Sequence, residues 1–256
     1  MKYFFFDIDG TLTDRKTNKI VPSAQLALDK LQANGHFVAI ATGRAHYKAR
    51  AFMDEVHIKH MVCNGGGALV YNHDLVVNTP LDHYLAIQLY NEAKANHFGI
   101  LVMLDDSINV YSEDNLFVEQ TGGRREPTNY IVDPNFDISK HQNIYKLYIA
   151  VSEKEQYKLP TLDKIGYLRF EQPYLNIQYD DKISGIYKMM ELVNGCLDDV
   201  VVFGDDTNDL IMFDKRFTKI AMGNGCDALK QQADYVTKDN IDDGIYFALK
   251  HFGWIS

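Results

Sequence analysis

The sequence is poor in cysteine, in positive charge and in long apolar runs. Its three cysteines, Cys63, Cys196 and Cys226, are widely spaced and form no Cys-x-x-Cys pair, so neither a disulfide framework nor a zinc cluster is indicated. Lys and Arg number 26 against 35 Asp and Glu, which argues against a nucleic-acid surface. No apolar run is long enough to cross a bilayer, and Tyr3–Phe6 is too short for a signal-peptide core. We therefore expect a cytoplasmic protein without a membrane, nucleic-acid or obligate protein partner.

What the sequence does contain is two acidic clusters, each directly after a short apolar run. Asp7 and Asp9 follow Tyr3–Phe6, and residues 204–209 (Gly-Asp-Asp-Thr-Asn-Asp) follow Val200–Phe203. Side chains at positions i and i+2 of an extended segment point to the same side, so Asp7 and Asp9 are expected to converge on one ligand. Paired carboxylates repel each other unless a cation lies between them, and oxygen ligands suit Mg2+. The pattern predicts a magnesium site.

Strands alternate with helices at both ends of the chain, which predicts a parallel sheet with helices on its faces. Predicted strands of this kind are Tyr3–Phe6, Phe37–Ala41, Met61–Cys63 and Val200–Phe203. Between Pro80 and Lys182 the pattern changes to a helix followed by short alternating strands, typical of an antiparallel sheet. We predict an α/β fold with a parallel-sheet core from residues 1–80 and 181–256, and an inserted α+β domain at 81–180.

Ligands of open parallel sheets collect at the carboxyl ends of the strands. Four segments that begin at or beside such ends carry suitable groups: Asp7-x-Asp9, Thr42-Gly43-Arg44, Lys182 and Asp205-x-x-Asn208-Asp209. They offer carboxylates for a cation, a hydroxyl beside backbone N–H groups, and one ammonium. These groups suit phosphoryl transfer, which needs a nucleophile, a metal and a positive clamp on the phosphate oxygens.

In their order, these four segments resemble the motifs of the haloacid dehalogenase superfamily of phosphohydrolases. The resemblance spans the chain and is strongest to the Cof-type branch, which has a Rossmann-like core and a large α/β cap inserted between the second and third motifs. One position departs from that branch, which has Gly directly after the motif Lys; here Ile183 follows Lys182, and the first glycine is Gly185.

The resemblance implies a role for each acidic residue. Asp7 is expected to be the nucleophile that forms an aspartyl-phosphate. Asp9 is expected to protonate the leaving alkoxide and then to activate water, which favours a phosphatase or phosphomutase over an ATPase. Mg2+ would be bound by the carboxylates of Asp7 and Asp205 and the backbone carbonyl of Asp9, with Asp209 as a further ligand or a partner of the ligands.

The resemblance also implies which groups contact the phosphate. Thr42, the Gly43 N–H and Lys182 are expected to hold its oxygens, and Asn208 to orient Lys182 or the acidic loop. Arg44 is expected either to stabilise the local structure or to lie close to the phosphate. Thr42 also fits a helix N-cap.

Several alternatives stay open, and one is excluded. An EF-hand fails because Leu12 stands where it needs Gly and Asn18 where it needs Glu. The function that the resemblance implies is that of a Mg2+-dependent phosphatase of small phosphorylated metabolites, with sugar phosphates as first guess. The alternatives are a phosphomutase or a non-catalytic binder of phosphorylated ligands.

We interpret residues 64–67 (Asn-Gly-Gly-Gly) as a turn beside the site, and residues 122–125 (Gly-Gly-Arg-Arg) as a solvated hairpin tip or a basic loop facing the substrate.

Overall fold

Apolar runs of four or five residues form the central strands of a sheet in the computed structural model, which describes residues 1–256. The chain divides into two compact units, residues 1–78 with 181–256, and residues 79–180. The strands of the first unit are β1 (Tyr3–Phe6), β2 (Phe37–Ala41), β3 (His60–Cys63), β4 (Ala68–Tyr71), β5 (Asp74–Asn78), β12 (Val200–Gly204), β13 (Thr218–Ala221) and β14 (Tyr235–Val236). Its helices are α1 (Pro22–Ala33), α2 (His46–Glu55), α5 (Lys182–Leu192), α6 (Asp227–Gln232) and α7 (Gly244–His251).

The sheet of the first unit has the order β14-β13-β12-β1-β2-β3-β4-β5. Neighbours from β14 to β3 are parallel, whereas β4 and β5 form an antiparallel hairpin at one edge. Strand β1 is buried on both faces: Phe4 and Phe6 pack into one hydrophobic cluster, and Tyr3 and Phe5 into another. This two-sided burial explains why the run is apolar without alternation.

The register of the central strands sets the position of the acidic segments. Phe6, the last residue of β1, lies opposite Phe203 of β12 on one side and Ile40 of β2 on the other. The chain therefore leaves all three strands at the same edge of the sheet, where Asp7, Thr42 and Asp205 follow.

The second unit contains a six-stranded sheet of order β10-β11-β9-β6-β7-β8. Its strands are β6 (Ile100–Met103), β7 (Asn109–Ser112), β8 (Asn129–Val132), β9 (Lys146–Ile149), β10 (Tyr167–Glu171) and β11 (Tyr174–Ile177), and its helices are α3 (His83–Ala95) and α4 (Leu116–Thr121). Leu89 and Ala93 of α3 pack with Leu147 and Leu175 of the sheet in a separate hydrophobic cluster. The predicted fold class, a parallel-sheet α/β core with an inserted α+β unit, is confirmed.

Two expectations for the second unit need correction. The sheet is antiparallel except for β8, which runs parallel to β7 because the chain crosses over through α4 before it returns. Residues 122–125 are not a solvated hairpin tip: Gly122 ends α4 in the left-handed conformation, and the Arg124 side chain is 2% exposed. The Arg124 guanidinium lies 4.1 Å from the centre of the Tyr148 ring. No helix is long and apolar enough to cross a membrane.

Candidate active site

Asp7 lies in a tight turn at the carboxyl end of β1. The turn closes where the backbone N–H groups of Leu12 and Thr13 both donate to the Ile8 carbonyl, at 3.0 and 2.9 Å. The Asp7 side chain is 8% exposed, and its carboxylate is held by two donors. Lys182 Nζ donates to its Oδ1 at 2.8 Å, and the Asp9 backbone N–H donates to its Oδ2 at 3.0 Å. Its orientation is thus fixed from both oxygens.

Lys182 is the first residue of α5, and its side chain is 1% exposed. Its Nζ donates to Asp209 Oδ1 at 2.7 Å as well as to Asp7, so one ammonium joins the two acidic segments. Asn208 was expected to orient Lys182 or the acidic loop, but Asn208 is exposed, and Asp209 contacts both Lys182 and the backbone of that loop. A 3-10 turn over Thr207–Met212 directs Asp209 inward and leaves Asn208 on the outside.

The backbone of the second acidic segment is held by the Asp209 side chain. Asp209 Oδ2 accepts hydrogen bonds from the backbone N–H groups of Asp205 at 3.0 Å and Asp206 at 3.2 Å. The second of these contacts belongs to a capping box with Asp206, which satisfies the first donors of the 3-10 turn. Glycine at position 204 allows Asp209 to pack this close to the end of β12, because a Cβ on Gly204 would lie 2.6 Å from the Asp209 Cβ. Asp209 is consequently fully buried.

Asp7, Asp205 and Asp209 form a buried group in which one carboxylate oxygen of each residue lies within 4.8 Å of those of the other two. Three hard oxygen donors at this spacing fit a divalent cation such as Mg2+. The Asp9 carboxylate does not belong to this group, contrary to the expectation that Asp7 and Asp9 converge through their side chains. Strand β1 ends at Phe6, so the extended geometry on which that expectation depends stops before Asp7.

Arg15, which the sequence analysis did not single out, pairs with the same group. Its Nη2 donates to Asp205 Oδ2 at 2.7 Å and to Asp206 Oδ2 at 3.0 Å. The other oxygen of Asp205 accepts the Thr11 hydroxyl at 3.0 Å. No short-range pattern could have indicated Arg15, because it lies 190 positions from Asp205 in the chain.

The electrostatics of the group favour a cation. Burial raises the pKa of Asp7 to about 7; Asp209 and Asp205 add to this rise, and Lys182 opposes it. Burial also raises the pKa of Asp205, against the effect of Arg15. Burial alone would lower the pKa of Lys182, but the carboxylates of Asp7 and Asp209 raise it overall, so this side chain stays charged. The Lys182 ammonium and the half-exposed Arg15 guanidinium leave the three buried carboxylates short of positive charge, and a divalent ion would supply it.

The Asp9 side chain pairs with Arg44, which lies in the loop after β2. Arg44 Nε donates to Asp9 Oδ2 at 3.0 Å, and its Nη2 pairs with Asp9 Oδ1, a two-pronged contact. The Asp9 side chain remains 50% exposed.

Thr42 is buried and is not a helix N-cap, because Ala45 occupies that place before α2. Its hydroxyl instead accepts the Arg44 backbone N–H at 3.1 Å, so Thr42 shapes the loop that carries Gly43 and Arg44.

The turn over Asn64–Gly66 lies against the start of α5. The Gly65 carbonyl accepts the Asp181 backbone N–H at 2.8 Å. Gly66 has a φ of +95°, and a Cβ there would lie 2.1 Å from the Asp181 carbonyl oxygen. The glycines of this segment therefore allow the chain to pass close to Lys182.

The chain resembles known proteins both in sequence and in structure. A family model described as haloacid dehalogenase-like hydrolase matches residues 4–249. The chain is 28% identical to the YkrA protein of Bacillus subtilis over 254 residues, which is 98% of each chain. It is 27% identical over 263 residues to the pyridoxal phosphate phosphatase YbhA of Escherichia coli, covering 93% of this chain and 94% of that protein. It is 25% identical over 266 residues to the 5-amino-6-(5-phospho-D-ribitylamino)uracil phosphatase YitU of Bacillus subtilis, covering 96% and 95%.

Solved structures match along the whole chain. A protein of Geobacillus kaustophilus superposes with a TM-score of 0.83 at 26% identity, covering 99% of each chain. The sugar phosphatase BT4131, described as HAD subclass IIB, superposes with a TM-score of 0.78 at 23% identity over the full length of both chains. The second likeness shows that the two proteins share a fold.

Proposed function

The chain belongs to the haloacid dehalogenase-like hydrolase family, and from this membership we propose that it is a Mg2+-dependent phosphatase of small phosphorylated metabolites. Two relatives support the reaction class, since one is named for pyridoxal phosphate and the other for a phosphoribityl uracil. Those substrates differ in size and in the group that carries the phosphate, and both are phosphate monoesters. The observation that carries the proposal is the anchoring of Asp7 between Lys182 and the Asp9 backbone N–H, within the buried carboxylate group.

Asp7 is the proposed nucleophile. Its carboxylate attacks phosphorus in line, a new O–P bond forms, and the bond from phosphorus to the leaving alkoxide breaks, giving an aspartyl-phosphate. The two donors on its oxygens hold the attacking group in one orientation, which lowers the entropic part of the barrier.

Asp9 is the proposed general acid and base. Its side chain is half exposed and lies two residues from the nucleophile, so it can approach a leaving group from solvent. It donates a proton to the departing alkoxide and then takes one from the water that hydrolyses the aspartyl-phosphate. The Arg44 guanidinium holds Asp9 until substrate enters, and can then turn to a phosphate oxygen.

Thr42, Gly43, Lys182 and Arg44 are the proposed phosphate contacts, with Asn208 at the rim. Lys182 brings a charge that is already desolvated, so its contact with a phosphate oxygen is strong. The Thr42 hydroxyl and the Gly43 N–H lie at the end of β2, the strand next to β1. Selection among leaving groups is assigned to the inserted domain, residues 81–180, acting as a cap, with sugar phosphates as first candidates.

Asp7, Asp205 and Asp209 are the proposed ligands of Mg2+, with the Asp9 backbone carbonyl as a further oxygen. The bound ion supplies positive charge that offsets repulsion between the nucleophile and the phosphate. Asp209 also holds Lys182 and the acidic loop, so it keeps the other ligands in place when no ion is bound.

The test is phosphate release from a panel containing p-nitrophenyl phosphate, sugar phosphates and pyridoxal phosphate, each with Mg2+ and with EDTA. Wild-type protein is expected to release phosphate with Mg2+ and to stop with EDTA. Asp7→Asn should lower kcat by at least about a thousandfold, since it removes the nucleophile. Asp54→Asn, an exposed aspartate on α2, is the matched control. Unchanged hydrolysis by Asp7→Asn would refute the proposal, and phosphoryl exchange without release would favour a phosphomutase.

A further inference from the structure

Arg15 reaches from an exposed loop to a buried carboxylate of the proposed metal site. The Arg15 side chain is 55% exposed, whereas that of Asp205 is 2% exposed. The Nη2 atom of Arg15 lies 2.7 Å from Asp205 Oδ2 and 3.0 Å from Asp206 Oδ2, and the Asp206 side chain is 46% exposed. One guanidinium thus has a buried partner and an exposed partner next to each other.

Both oxygens of Asp205 already have donors. Thr11 Oγ1 donates to Oδ1 at 3.0 Å, and Arg15 donates to Oδ2. A Cβ on Gly10 would lie 2.2 Å from Oδ2 and 2.4 Å from Arg15 Nε, so the Gly10 backbone packs against the Arg15–Asp205 pair and leaves no free space there. Mg2+ binds its oxygen ligands at about 2.1 Å, closer than any hydrogen-bond donor. A cation that binds Oδ2 on the side where Arg15 lies must therefore displace the guanidinium.

Of the three cationic side chains in the site, Arg15 is the one placed to move. Lys182 is buried between Asp7 and Asp209, and leaving either would strand a buried charge. Arg44 pairs with Asp9, which lies outside the carboxylate group. Arg15 alone can give up a buried partner and keep an exposed one, since its contact with Asp206 needs no change in the backbone.

We propose that Arg15 is a positioning residue that takes the place of the cation on Asp205 when no metal is bound, and that it moves to Asp206 alone when Mg2+ binds. The inference rests on the metal site of the proposed function. It has two consequences. Arg15 holds the Asp205 carboxylate in its ligating position before the ion arrives, and it lowers the affinity for Mg2+ because the ion must first displace it.

The experiment compares wild-type protein with Arg15→Gln. Mg2+ binding is measured by isothermal titration calorimetry, and stability by urea unfolding with EDTA and with saturating Mg2+. Arg15→Gln is expected to bind Mg2+ about tenfold more tightly, the order of one charge-assisted hydrogen bond. It should be less stable than wild type in EDTA and equal to it in saturating Mg2+. Equal destabilisation under both conditions would show a structural role only and would overturn the inference.

Two further variants separate displacement from other effects. Arg44→Gln removes the same charge from the site without touching the carboxylate group, so equal tightening in this variant would show a general charge effect and overturn the inference. Thr11→Val removes the donor from the other oxygen of Asp205, Oδ1. If Thr11→Val binds Mg2+ more tightly than wild type and Arg15→Gln does not, the ion takes Oδ1, and the inference about Arg15 is overturned.

Asp205→Asn distinguishes the inference from the proposed function. If wild-type protein binds no Mg2+, or binds it equally well as Asp205→Asn, the metal site fails and both proposals fall. If Asp205→Asn abolishes binding and Arg15→Gln leaves the affinity unchanged, only the role of Arg15 is refuted.

Discussion

At the scale of single residues, Lys182 decides whether the acidic site can exist in a folded protein. Its ammonium is buried and contacts Asp7 and Asp209, both of them buried as well. Such a triad is costly to desolvate, but breaking it costs more, because the remaining charges stay in a medium of low polarity. The electrostatic need for Lys182 is therefore independent of any part it takes in binding phosphate.

Lys182→Met keeps the length of the side chain and removes its charge. We expect the free energy of unfolding in EDTA to fall by about 3–5 kcal/mol, the usual cost of breaking a buried ion pair. Saturating Mg2+ should restore part of it, because the ion neutralises the same carboxylates. Urea unfolding measures both values. Lys188→Met, exposed on the same helix, is the control, and equal stability of the two variants would contradict the prediction.

The sequence predicts where some residues of the site lie, but not which side chains contact them. Asp7 and Asp205 could be located because each follows an apolar run that forms a strand buried on both faces, and parallel strands next to each other end at the same edge. The hydrogen bonds that hold them could not be predicted. Whether Asn208 or Asp209 faces Lys182 depends on the 3-10 form of one turn, and the pairing of Arg15 with Asp205 depends on how a distant loop folds back.

At the scale of elements, α5 lies unusually close to strand β3 and the turn after it. A Cβ on Gly185 would lie 2.4 Å from Val62 Cγ1 and 2.8 Å from the Gly66 Cα. Two glycines thus face each other, and α5 carries Lys182 in its first turn. The family pattern has its glycine directly after the motif lysine, whereas here Gly185, three residues after Lys182, makes the close approach.

Gly185→Ala tests this close approach. Alanine favours a helix over glycine by about 1 kcal/mol, but the added methyl has no space and should cost about 1–3 kcal/mol. We expect a net loss of stability, with a lower kcat because the shift of α5 moves Lys182. Urea unfolding and phosphate release measure the two effects. Glu191→Ala, exposed on α5, is the control; a Gly185→Ala protein more stable than wild type would contradict the prediction.

The elements that were missed have two different physical causes. Strands β4 and β5 follow three glycines and lie at the sheet edge, where β5 is largely exposed and its sequence is less apolar. Their signal was the two-residue turn Asn72-His73, whose φ angles of 50° and 71° fit a tight hairpin. Helix α4 has only six residues, too few to show helical periodicity.

At the scale of the molecule, the two units have separate hydrophobic cores and should unfold as separate units. Trp254 is the single tryptophan and packs on Phe4 and Phe252 in the first unit, with ring centres 5.1 and 4.6 Å apart. Its fluorescence therefore reports on that unit alone, whereas far-UV circular dichroism reports on both. Mg2+ at a hundred times its Kd should stabilise the unit that binds it by about 2.7 kcal/mol.

We expect Mg2+ to move the Trp254 transition to higher urea while part of the circular dichroism transition stays in place. That part belongs to residues 79–180, which contain no member of the carboxylate group. Asp205→Asn should abolish the shift and leave the unmoved part unchanged. If the two signals change together with and without Mg2+, the units unfold as one, and stabilisation by the ion extends to the inserted domain. The stability of the inserted domain would then depend on whether the metal site is occupied, because a ligand that binds only the folded core stabilises every part of a unit that unfolds as one.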